Sequence, residues 1–146
     1  MNKTNLLKLA EKLEAVSAEQ FKMSVFRGNN NGPARAWNMM LNNSDVECGT
    51  TACALGWAPT IEGLEASNED SGWLSYCERV FDIESISNEW DFLFSGQWMY
   101  TDNTPLGASR RIRYLIDNDC PSRAHIKTMQ NGDCGLCYNN EGGNDE

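Results

Sequence analysis

The stretch TPLGASRRIRYLI, residues 104–116, carries the clearest structural signal in the chain. Thr104 can accept a hydrogen bond from a free N–H of the first helical turn, and Pro105 brings a φ already suited to the first helical position. Ala108, Ile112, Leu115 and Ile116 then recur at three- and four-residue spacing, which predicts an amphipathic helix that ends before Pro121. The same grammar extends outward. Leu6, Leu9, Ala10, Leu13 and Val16 predict a helix over 5–17 with Thr4 as its cap. Trp73, Leu74, Cys77, Val80 and Phe81 predict one over about 72–82, and Ser87 caps a short helix through Trp90, Leu93 and Phe94 that stops near Gly96. Residues 34–41 (ARAWNMML) read as two more helical turns.

These segments predict a mainly α fold (α, or α+β with a minor strand element near 21–26). Four to five short helices surround a Trp/Phe/Leu core in a single domain over residues 1–127. A polar Gly/Asn-rich tail, 128–146, is expected to be flexible or held by a metal. With 146 residues and 40% hydrophobic content, the chain is long enough to bury one core. No apolar run approaches the length of a membrane span, and the N-terminal residues lack the pattern of a signal peptide. The six cysteines, at 48, 53, 77, 120, 134 and 137, are therefore expected to be thiols in a reducing cytoplasm rather than a disulfide framework.

A second stretch, CGTTACALGWAP (48–59), reads as a tight turn into a small buried helix. Gly49 permits the bend, Thr50 or Thr51 caps the start, Cys53 and Trp57 share one face, and Pro59 limits the length. A thiolate at Cys48 would gain from a helix N-terminus. Catalysis by it would also need a base, and the only histidine, His125, is remote in sequence.

Charge is the most uneven property of the sequence. Residues 1–44 carry +3 and residues 103–146 carry −1, whereas residues 45–102 set twelve acidic side chains against Arg79 alone and carry −11. Such a field repels membranes and nucleic acid and attracts basic protein surfaces. The expected partner-binding residues are Glu62, Glu65, Glu69, Asp70, Glu89 and Asp91, with Trp98 and Tyr100 as aromatic anchors beside them. Arg110, Arg111 and Arg113 read as a solvated basic face on the last predicted helix. Cys120, His125, Cys134 and Cys137, in the order C-x4-H-x8-C-x2-C, offer four tetrahedral zinc ligands within 18 residues, so zinc is the one cofactor the sequence suggests.

The pattern C-G-T-x-x-C-x-x-G-W-A at Cys48–Ala58 resembles a signature of small proteins without an assigned activity that are encoded by bacteriophages and some bacteria. VFDI (80–83), FLF (92–94) and TP…A…RI…L (104–115) agree with it in outline. The resemblance implies a phage or prophage setting, in which proteins of this size bind and disable host machinery, and it implies no reaction. Together with the charge it leads to one expectation: an acidic accessory protein of the host cytoplasm that inhibits or modulates a host complex with a basic surface, in anti-defence fashion, by mimicking the charge of nucleic acid. The alternative is a small zinc- or thiol-dependent enzyme.

Overall fold

A computed structural model describes residues 1–23, 28–29, 50–51 and 53–132. Among them are six α-helices, α1 (Lys3–Ala15), α2 (Ala54–Trp57), α3 (Trp73–Phe81), α4 (Asn88–Phe94), α5 (Pro105–Asp117) and α6 (Arg123–Gln130). Short 3₁₀ turns at Ala18–Gln20, Ala58–Thr60 and Gly96–Tyr100 join them. One two-residue antiparallel pair sets Gly28 opposite Thr51 and Asn29 opposite Thr50. The fold is therefore mainly helical, as the sequence predicts.

The architecture rests on α1 against α5, the most extensive helix–helix contact among the described residues. Leu6, Leu9, Ala10 and Leu13 form the buried stripe of α1, and Ala108, Ile112 and Leu115 form that of α5. The Glu14 carboxylate fastens the two helices by accepting from Ser109 Oγ and Arg113 Nε, both at 2.8 Å. The other end of α1 is tied to α3, where Asn2 N–H donates to the Phe81 carbonyl at 2.7 Å and Asn5 Nδ2 to that of Val80 at 2.8 Å. Around this pair the aromatics form a chain of contacts through Trp73, Tyr76, Phe81, Phe94 and Trp90, edge-on except for the tilted Phe81–Phe94 pair. Such pairs add directional preference to the area they bury.

Several helix starts match the sequence reading. Thr104 accepts from Gly107 N–H at 3.0 Å with Pro105 in the first turn, and Ser87 accepts from Trp90 N–H at 3.1 Å. Two others are corrected. Asn2 rather than Thr4 caps α1, because its Oδ1 accepts from Asn5 N–H at 3.0 Å and places Thr4 inside the first turn. Thr50 and Thr51 are not the cap of α2: both are extended in the strand pair, and Cys53 holds the N-cap position without a side-chain bond. Cys53 and Trp57 are both buried, as their spacing predicts. The described strand pair is 28–29 with 50–51, just beyond the segment 21–26 expected to carry a strand; Phe21 and Met23 are buried, and residues 24–26 lie outside the described residues. Residues 34–41 and Cys48 lie outside the described residues.

The helix absent from the sequence reading is α6. Ser122 caps it by accepting from His125 N–H at 3.2 Å, and Ile126 and Met129 insert into the core. Its ends are clamped to α4 and the turn before it: Arg123 Nη2 donates to the Ile86 carbonyl in that turn at 3.0 Å and Gln130 Nε2 to the Asp91 carbonyl of α4 at 3.1 Å. The division drawn at residue 127 falls inside this helix, whose buried Met129 and Gln130 belong with the helical body. Residues 133–146 lie outside the described residues.

Candidate functional site

The acidic residues of the middle segment follow one another over the loop 61–72, the end of α3 and the turn into α4. The loop holds its shape through backbone and side-chain bonds. Gly63, at φ +90°, donates its N–H to both Glu65 carboxylate oxygens at 3.0 and 3.1 Å, which holds that carboxyl below its usual pKa. Leu64 is buried, and its carbonyl accepts from the Tyr76 hydroxyl at 2.5 Å.

Arg79 stitches the loop to α3. Its Nε and Nη2 donate to the two Asp70 carboxylate oxygens at 2.7 and 2.8 Å, and Nη2 also reaches the Glu65 carbonyl at 3.1 Å. Asp70 accepts from Ser67 N–H as well, at 2.9 Å, and its side chain is only 1% exposed. The paired guanidinium holds the Asp70 carboxyl below its ordinary pKa. Asp70 is thus spent inside the protein and is not presented to a partner, which corrects the expectation for this residue. Glu62, Glu65 and Glu69 remain exposed around it.

Replacing Asp70 with Asn is expected to cost about 1–2 kcal/mol at neutral pH, as charge-assisted bonds weaken to neutral ones. Because the folded pKa is lowered, the contribution of Asp70 is complete above the unfolded carboxyl pKa, about 3.9, and is lost as pH falls through the folded value. Urea unfolding of wild type and Asp70→Asn should therefore converge in acid.

Beyond α3 the chain turns through Asp82, a non-glycine residue in the left-handed region at φ 55°. Asp82, Ile83, Glu84, Ser87 and Glu89 line, with Met1, a groove of about 270 Å³. The α-amino group of Met1 pairs with Asp82 at 2.8 Å on its edge. Ile86, beside the groove in sequence, is 84% exposed. Asp91 is half-buried and pairs with Arg123 at 3.2 Å. By contrast, Glu62, Glu69, Glu78, Glu84 and Glu89 form no ion pair among the described residues.

The two aromatics expected at the surface part company. Tyr100 is 76% exposed, whereas Trp98 is fully buried. Trp98 Nε1 donates to the Asp91 carbonyl at 3.2 Å and its ring lies under the Arg111 guanidinium, 4.2 Å from centroid to carbon. Trp98 therefore supports the turn instead of meeting a partner. Arg111 is corrected with it: only Arg110 and Arg113 of the trio reach solvent, and Arg113 is paired with Glu14.

The thiols and zinc ligands divide similarly. Burial pushes the Cys53 thiol up to about 11 and raises Cys77 further, so neither is a nucleophile at neutral pH. Cys120 is half-buried and is raised to about 11, by burial first and then by the charges of Glu89 and Asp91. His125 lies exposed on α6, and Cys134 and Cys137 lie outside the described residues. Among the described residues no group of three His, Cys, Asp or Glu side chains is gathered as a metal ion would require. No helix there is long and apolar enough to cross a membrane.

Sequence reasoning missed two residues here, Arg79, which ties the loop to α3, and the exposed Ile86. Arg79 counted only as a charge, because its pairing with Asp70 spans nine residues and a loop. Ile86 carried a signal, an isoleucine flanked by serines between two acidic residues in a capping turn. Comparison of the chain with protein-family models, with curated proteins and with solved structures gives no match.

Proposed function

We propose that this protein is a small acidic binding protein whose face over residues 62–89 docks on a basic surface of another protein, as a phage-type accessory factor acting on a host complex in the cytoplasm. The observation that carries the reading is the uncompensated charge: Arg79 is consumed by Asp70, while Glu62, Glu69, Glu78, Glu84 and Glu89 make no ion pair among the described residues. Like charges left without ion pairs repel one another. A basic partner turns that repulsion into attraction and steers encounter. Exposed Tyr100 and Ile86 supply apolar contact area of the kind that anchors such interfaces.

On this reading the carboxylates stand in for phosphates, so the partner is a nucleic-acid-binding protein of the host and the inhibition is anti-defence in kind. The chain does not itself bind nucleic acid. Affinity capture from a bacterial lysate tests the proposal: the captured protein is basic and is released steeply between low and moderate salt, because exposed charge pairs beyond about 10 Å are screened at 0.1 M. Capture that is indifferent to salt, or no capture at low salt, contradicts it.

A further inference from the structure

The most anomalous group in the fold is Arg111, a guanidinium with 0% exposure in the body of α5. Its Nη1 donates to Asp102 Oδ2 at 3.2 Å, and its plane covers Trp98. Asp102 also accepts from Thr104 Oγ1 at 2.7 Å, so the pair is built into the cap of α5. Gly107 makes room for it, since a Cβ there would run into the Asp102 carboxylate. The backbone N–H groups of Thr101 and Asp102 both return to the Trp98 carbonyl, at 3.1 and 2.8 Å. Thr101 Oγ1 bonds the Gln130 carbonyl at the end of α6. Every one of these contacts converges on the turn Gly96–Tyr100 and its exit, whose exposed side chains are Gln97 and the aromatic Tyr100.

A buried ion pair is a poor way to gain stability, because apolar residues of similar volume do as well or better; its attested use is to select one arrangement over its competitors. We propose that the Asp102–Arg111 pair is a conformational lock on the Gly96–Tyr100 turn, retained to hold Tyr100 at one fixed place on the surface and not to stabilise the fold. A rigid, pre-placed aromatic loses little freedom when a partner covers it. The lock stands whether or not the partner is basic, so it is tested on the protein alone.

The test is native-state amide exchange on the ¹⁵N-labelled full chain, with thermal melting, for Asp102→Asn/Arg111→Met. This double variant removes both charges and keeps their volume and the acceptor for Thr104. The expected result is a melting temperature within about 3 °C of wild type, with exchange of the Thr101 and Asp102 N–H groups at least about tenfold faster and that of Leu9, Ala10 and Leu13 unchanged. Unchanged exchange at Thr101 and Asp102 overturns the lock. So does a large fall in melting temperature with all amides accelerating together, which would make the pair ordinary structural support. Should the double variant not fold, Arg111→Lys, which keeps the charge and loses the planar fork, decides between the same two outcomes.

Discussion

A chain ended after Cys120 is expected to be largely unfolded at 25 °C. The cut removes α6, and with it the buried Ile126 and Met129, the Gln130 bond to the Asp91 carbonyl and the Arg123 bonds to Ile86 and Asp91. Losing a buried Ile or Met side chain costs about 2–5 kcal/mol each, so the two come to about 4–10 kcal/mol, and the clamps add to that. Domains of this size are stable by only about 5–15 kcal/mol. Circular dichroism through a thermal ramp reads the result; a helical protein melting within a few degrees of the full chain would show that α6 adds nothing to the core. A chain ended after Gly132 keeps α6 but loses Cys134 and Cys137. It therefore tests zinc binding by Cys120, His125, Cys134 and Cys137 separately, through metal content measured beside the full-length protein.

The second large effect is at Arg111. Arg111→Ala leaves Asp102 without its buried counter-charge and opens a void over Trp98. Breaking a buried pair from one side costs about 3–5 kcal/mol, unlike replacing both partners together. Urea unfolding should show a loss of that size, whereas Arg110→Ala, on the exposed side of the same helix, should change stability by less than about 0.5 kcal/mol. Equal effects at the two positions would mean that Arg111 is not buried.

Much of the helical framework was legible because local signals and tertiary burial agree. Ser87 and Thr104-Pro105 mark helix starts that the structure keeps, and the apolar stripes of α1, α3 and α5 face the core. α6 escaped because it is eight residues long with only Ile126 and Met129 as buried apolar side chains, too few to display a period. The signal it does carry is Ser122 after Pro121, a cap placed as at Ser87.

Arg111 is the more instructive failure. It lies three residues after Ala108 and four before Leu115, on the buried stripe itself. Residue type argued for solvent, and a charge partner nine residues away in a separate turn settled it the other way. The candidate site shows the same limit. That the middle segment is acidic was plain from the sequence. Which carboxylates face outward was not, because Asp70 and Asp91 are claimed by Arg79 and Arg123, from a helix and from the end of the body.

The claim that the unpaired carboxylates form a binding face and have no structural role is tested most directly by Glu62→Gln/Glu69→Gln/Glu84→Gln/Glu89→Gln, measured for melting temperature and for capture of the salt-sensitive partner in parallel. Removing mutually repelling charges that no ion pair uses should leave melting unchanged or raise it slightly, while affinity falls at least about a hundredfold, roughly 2.7 kcal/mol across four charges. A variant that melts as the wild type does and still captures the same partner with the same salt dependence would contradict the account.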